Sequence, residues 1–251
     1  LSSDEQARWM ASAADVTRFT NVRSGPRYGI LGGTFDPPHV GHLVLAQEVY
    51  VRLGLKCVWF VPTGAPPHKT GKTISSREDR RAMVSLAIGA DERFALHPVE
   101  LERPGASYTA DTLELLKAQW GAETSIFFII GWDMLASLET WHEPDRVLHG
   151  LDALVAVHRP GIAPETAHLE DMARRLPALR DKLLILPAPQ LDIAATALRE
   201  RVASGLPIRY LVPDSVRDYI GMHRLYQRDA NTVYDGRERH NMLRERSENE
   251  Q

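Results

Sequence analysis

Six short apolar runs constrain the fold more than any other feature of this chain: Tyr28–Leu31, Cys57–Val61, Phe94–Val99, Ser125–Ile130, Ala153–Val157 and Leu183–Leu186. Most are rich in Val, Ile, Leu and Phe and lack polar alternation. A strand with one face in water alternates apolar and polar residues. A strand buried on both faces does not, and such strands belong to parallel sheets covered by helices. The stretches between the runs carry helical spacing. Gly41–Leu53 places Leu45, Val49 and Leu53 four apart, and Thr109–Trp120 places Leu113, Leu116 and Trp120 on one side. Ser75 with Glu78 reads as a capping box that opens a helix reaching about Ala90. Glu165–Leu176 and Thr196–Ser204 follow, and Pro213 suits the first turn of a last helix, Asp214–Gly221. Strand, helix and strand in repetition imply right-handed crossovers. The expected fold is α/β, a Rossmann-like doubly wound, mainly parallel sheet with helices on both faces.

The pattern spans residues 27–222 as one domain, without internal repeats. Residues 1–26 are weakly periodic and read as an extension with one loose helix. Residues 223–251 are dense in Arg, Glu, Asn and Asp, have little to bury and read as a flexible tail. Net charge is −3 and the isoelectric point is near 6.4, so no global basic field argues for nucleic acid. No apolar stretch approaches a membrane span of about 20 residues. No signal-peptide pattern opens the sequence, which is read as cytoplasmic. Cys57 is the only cysteine, which excludes an intrachain disulfide and a thiolate metal cage, and its apolar neighbours suggest a buried, inert thiol.

The eleven residues GGTFDPPHVGH, 32–42, stand between the first strand and its helix. In an open parallel sheet, ligands bind beyond the carboxyl ends of the strands. Gly32 and Gly33 let a phosphate-bearing ligand approach the backbone. Pro37 and Pro38 stiffen the loop, and Gly41 is read as allowing a tight turn into the helix. His39 and His42 fall near the helix N-terminus, where free amides and the helix dipole favour anions. Zinc held by His39, His42 and Asp36 is the competing reading, weakened by the lack of a further ligand cluster. A P-loop reading of Thr70-Gly71-Lys72-Thr73 fails at Pro66, which occupies the first glycine's place and has no N–H to offer.

GGTFDPPHVGH resembles the signature of the nucleotidyltransferase superfamily with the His/Thr-x-Gly-His motif. More closely, the chain is similar to bacterial nicotinate-nucleotide adenylyltransferases. Further stretches match in order: PTGAPPHK at 62–69, SYTADTL at 107–113, FIIGWDML at 128–135 followed by Trp141, VHRPG at 157–161, IAATALR at 193–199 and IRYLVPDSVRDYI at 208–220. The resemblance makes 27–222 a nucleotidyltransferase domain. It implies ATP and nicotinate mononucleotide as substrates, with Mg2+ held mainly by the ATP phosphates.

The resemblance also implies roles. His42, His39 and Arg199 would act on the phosphates as catalytic residues. Gly32, Gly33, Thr34 and Phe35 would line the path between the nucleotides with backbone groups. Gly131 and Asp133 would meet the ATP ribose, and Thr196 a phosphate. Trp141 would stack on the pyridine ring, Tyr108 and Thr109 would meet its carboxylate, and Lys69 and Arg159 belong to the same mononucleotide. Ala194 and Ala195 depart from the family, which has serines there, so hydroxyl contacts to phosphate are expected to be lost. Phosphopantetheine adenylyltransferases and cytidylyltransferases share the first motif and are the sister readings. Nicotinamide mononucleotide is the alternative acceptor. A non-catalytic nucleotide sensor is a further alternative, suggested by the two alanines and opposed by intact His39, His42 and Arg199. A homo-oligomer is left open.

Overall fold

A computed structural model describes residues 13–20, 23–65, 74–158, 166–189 and 191–227. The strands are β1 (Arg27–Gly33), β2 (Cys57–Pro62), β3 (Phe94–Leu96), β4 (Ser125–Gly131), β5 (Ala153–His158) and β6 (Leu183–Pro187). They form one 6-stranded sheet in the order β3-β2-β1-β4-β5-β6, and every pairing is parallel. The order reverses between β1 and β4, the point at which open parallel sheets bind ligands, and Gly33 and Gly131 end those two strands.

The helices are α1 (Ala13–Thr20), α2 (Val40–Leu53), α3 (Arg77–Ile88), α4 (Thr109–Trp120), α5 (Trp132–Leu135), α6 (Pro144–Gly150), α7 (Thr166–Arg175), α8 (Leu179–Lys182), α9 (Ala195–Ala203) and α10 (Asp214–Met222). The apolar runs are strands because both sheet faces are covered. Ile30, Phe128, Ile130, Leu154 and Ala156 point to one buried layer. Their neighbours Leu31, Phe127, Ile129, Val155 and Val157 point to the other. Each of the Val, Leu, Ile and Phe side chains contributes about 1.5–3 kcal/mol when removed from water. A third cluster, Met83, Leu198, Ile208, Val212, Val216 and Ile220, joins α3, α9 and α10 beside the sheet and sets where Arg199 emerges.

Some local expectations shift. β3 stops at Leu96 instead of reaching Val99, because Pro98 has no N–H for a ladder on this edge strand. The N-cap of α3 is Ser76, not Ser75: Ser76 Oγ accepts from the Asp79 amide at 2.9 Å. The amide and carbonyl of Ser75 are occupied instead by Asp36 and Arg80. Cys57 is half-buried, and burial pushes its thiol up to about 11, in keeping with an inert role.

The N-terminal extension contains α1, which buries Phe19 in the layer under α2. Arg23 pairs with Asp152 at 2.8 Å, and Asp152 accepts from the Ile126 amide at 2.9 Å. At the other end, packing continues past residue 222. Leu225 donates its amide to Ile220, and Leu225 and Tyr226 join the third cluster. Among the described residues, no helix is long and apolar enough to cross a membrane.

Candidate active site

The stretch 32–42 runs from the end of β1 into the first turn of α2. A Cβ on Gly32 would stand 3.3 Å from the Phe128 ring, and one on Gly33 would stand 3.2 Å from the Phe35 ring. Both glycines keep the strand end bare. Phe35 adopts φ 49, a left-handed conformation that costs a non-glycine residue about 1 kcal/mol or more. Its side chain is buried and packs edge-on against His42 with centroids 5.0 Å apart. Phe35 is thus a wedge below the histidine, and only its backbone faces the loop path.

His39 is the N-cap of α2 and His42 is its third residue. The two rings stack 3.6 Å apart at 24°. The His39 amide donates to His42 Nδ1 at 3.1 Å. His39 is 8% exposed, and its Nδ1 is buried without a hydrogen-bond partner. Burial holds His39 near a pKa of about 4, and burial first, then His39, holds His42 well below the imidazole range. Both rings are neutral at neutral pH in the free protein.

Gly41 lies inside the helix, not in a tight turn. A Cβ there would come 3.1 Å from His39 Nδ1, so its absence makes room for the stacked ring. Among the described residues, no group of three or more His, Cys, Asp or Glu is placed to hold a metal ion. The carboxylate of Asp36 is engaged elsewhere, by Tyr226 and the Ser75 amide.

Arg199 comes from α9. Its Nη1 donates to the main-chain carbonyl of Asp36 at 2.8 Å and its Nη2 to Thr196 Oγ1 at 3.3 Å. The guanidinium therefore reaches the histidine loop from a helix some 160 residues later in the chain, a separation of 163. Thr196 steadies this arginine with its hydroxyl. Ala194 is the N-cap of α9 and offers no side-chain cap, so the first amides of the helix keep their donors for a ligand.

Gly131 ends β4 and caps α5. Asp133 is exposed in the first turn, and its Oδ1 lies 2.7 Å from where a Cβ on Gly131 would be. Only glycine lets that carboxylate fold over the strand end.

Tyr108 is the N-cap of α4 and Thr109 its first residue. The Tyr108 ring lies 4.1 Å from that of His142. Trp141 is half-buried: its ring meets Phe128 edge-on at 6.0 Å and borders the core. The Phe128 ring also faces Gly32, so Trp141 lies one ring away from the end of β1. Packing and ligand contact are both open to this side chain. Lys69 and Arg159, and the Thr70–Thr73 stretch, lie outside the described residues.

Sequence reasoning missed the groups that hold these parts together. Arg80, 1% exposed, donates to the carbonyls of Thr34 at 3.1 Å, Thr63 at 2.5 Å, Gly64 at 3.2 Å and Ser75 at 3.2 Å. One guanidinium thus binds the loops after β1 and β2 and the start of α3. The signal was present: Arg80 shares the buried face of α3 with Met83 and Val84. Ser107 Oγ accepts from the amides of Gly64 at 3.2 Å and Ala65 at 3.3 Å, tying the β2 loop to Tyr108. Behind it Glu100, its pKa raised mainly by burial, accepts from Thr112 at 2.7 Å.

The cytidylyltransferase-like family model matches residues 30–201. A probable nicotinate-nucleotide adenylyltransferase of Dehalococcoides mccartyi is 46% identical over 80% of this chain and 97% of its own. One from Roseiflexus is 47% identical over 79% of this chain and 97% of its own. Among solved structures, a Plasmodium falciparum nicotinic acid mononucleotide adenylyltransferase shares the fold at a TM-score of 0.63 and 19% identity, covering 80% of this chain and 98% of that one.

Proposed function

The chain belongs to the cytidylyltransferase-like family, among the nicotinate-nucleotide adenylyltransferases, and from that membership we infer that it joins ATP to nicotinate mononucleotide, giving deamido-NAD and pyrophosphate. The observation that carries the reading is the meeting of His39, His42 and Arg199 at the carboxyl end of β1. Two neutral, hydrogen-bond-donating imidazoles at the start of α2 and one guanidinium from a distant helix meet at this loop.

The chemistry follows from what these groups can do. The mononucleotide phosphate is already anionic near neutral pH, so it needs no general base to attack the α-phosphorus. In-line attack releases pyrophosphate without a covalent enzyme intermediate. The protein's tasks are to align two polyanions and to stabilise charge as the bridge to the β-phosphate breaks. His42 donates from Nε2 to the phosphate undergoing transfer, with His39 stacked beside it. Arg199 binds the β- and γ-phosphates with its planar fork. Asp133 accepts from the ribose hydroxyls, next to the bare backbone of Gly131. Trp141 covers the pyridine ring, and the amides at the start of α4 meet its carboxylate. Mg2+ held by the ATP phosphates would supply neutralisation of the triphosphate charge, and no side chain of this protein is assigned to it.

The test is a pyrophosphate-release assay with ATP and Mg2+ and three acceptors in parallel: nicotinate mononucleotide, nicotinamide mononucleotide and phosphopantetheine. Preference for the first is expected. Preference for either other acceptor overturns the substrate assignment, and nucleotide binding without turnover converts the protein into a sensor.

A further inference from the structure

We propose that Tyr226, in the turn after α10, is a positioning residue of the nucleotide site. Its hydroxyl donates to Asp36 Oδ1 at 2.7 Å. The other carboxylate oxygen of Asp36 accepts from the Ser75 amide at 3.3 Å. The main-chain carbonyl of the same residue accepts from Arg199 Nη1 at 2.8 Å. Asp36 therefore receives the turn after α10 through its side chain and Arg199, the arginine read as binding phosphate, through its backbone.

The geometry around Tyr226 is built for this contact. The residue takes φ 63, in the left-handed region, and the preceding turn is fixed by bonds from His223 to Tyr219 and from Leu225 to Ile220. Its hydroxyl also approaches Met83 Sδ at 3.8 Å, on the buried face of α3. Asp36 is 2% exposed. A carboxylate so placed requires donors, and losing one leaves it to seek water or another partner. Either response moves the segment between Gly33 and His39, and with it the carbonyl that aims Arg199. Displacements of about 1 Å at a reacting centre can cost on the order of 100-fold in rate. Tyr226 acts through Asp36 and Arg199 and need touch neither nucleotide.

This proposal rests on the reading of Arg199 as the group that binds the β- and γ-phosphates. The experiment compares wild type, Tyr226→Phe, Arg199→Ala and the double variant. Two quantities are read: the Kd of a non-hydrolysable ATP analogue, and kcat per analogue-binding site with nicotinate mononucleotide. Counting sites by analogue binding prevents loss of folded protein from imitating the effect. Tyr226→Phe is expected to weaken analogue binding about 10-fold and to lower kcat at least as much, with KM for nicotinate mononucleotide within about twofold. In the Arg199→Ala background the same change should have little further effect, because the group being aimed is gone. Unchanged Kd and kcat in Tyr226→Phe, or an effect that multiplies fully with Arg199→Ala, overturns the proposal. A wild type that binds the analogue but does not turn over nicotinate mononucleotide removes the acceptor assignment. The Kd comparison still decides the role of Tyr226.

Discussion

The backbone amide of His39 donates to Nδ1 of His42 at 3.1 Å, and this one bond decides which nitrogen of His42 carries the proton. In a neutral imidazole one nitrogen donates and the other accepts. With Nδ1 accepting, Nε2 is the donor. Removing that donor in His42→Ala should lower kcat by about 100- to 1,000-fold, the range for loss of one donor to a transition-state oxyanion. Circular dichroism and steady-state kinetics check this together. A folded variant with near-normal turnover refutes the role.

Gly41→Ala separates stability from catalysis. Alanine is favoured over glycine inside a helix by about 0.5–1 kcal/mol, and position 41 has helical geometry in α2. Yet the new methyl group would stand 3.1 Å from His39 Nδ1, so that ring must shift by a few tenths of an ångström against its partner in the stack. The melting temperature should hold or rise while kcat falls at least 10-fold. Paired calorimetry and kinetics test this, and a fall in stability with normal kcat contradicts it.

Arg80→Lys should destabilise the fold by on the order of 3 kcal/mol although the charge is kept. An ammonium cannot span the carbonyls of Thr34, Thr63, Gly64 and Ser75 that the guanidinium joins. Urea unfolding measures the loss. A midpoint equal to that of wild type removes Arg80 from its framing role.

His39 makes stability depend on pH in a defined direction. Its folded pKa is about 4 against an ordinary 6.5, and burial is the cause. Between these values the unfolded chain binds a proton that the folded one refuses. The stability is fully present above about pH 6.5 and declines as pH falls toward 4, where the loss levels off. At pH 5 the single site accounts for about 2 kcal/mol. Urea titrations at pH 7 and pH 5 of wild type and His39→Gln measure it, and equal acid losses in both proteins contradict it.

Ala194→Ser restores a hydroxyl at the N-cap of α9, where no side chain caps the helix. A gain of about 1 kcal/mol is expected, together with a lower KM for ATP if the hydroxyl also meets phosphate. Thermal unfolding and ATP kinetics read the two effects separately. A lower melting temperature speaks against this cap geometry.

Much of the site was legible along the chain. The stretch 32–42 lies at the carboxyl end of a strand because a doubly buried apolar run precedes it and helical spacing follows. Gly131, Asp133, Tyr108 and Thr109 lie at strand or helix ends for the same reason. Gly41 was read as a turn residue, because sequence does not reveal that a neighbouring ring needs the space. Arg80 stood in an apolar helical stripe, a charge out of pattern, but its acceptors are main-chain carbonyls, which have no residue-type signature.

The sequence by itself determined where the six strands and the longer helices lie, since burial and periodicity are local properties of neighbouring residues, while the short helices at 132–135, 144–150 and 179–182 carry too few residues to show a period. Only the tertiary structure decided that β1 lies beside β4, that Arg199 reaches the carbonyl of Asp36 and that Tyr226 closes on its carboxylate. Those contacts join residues as far as 190 positions apart, and they depend on how the two sheet layers and the cluster beside them pack rather than on any spacing along the chain.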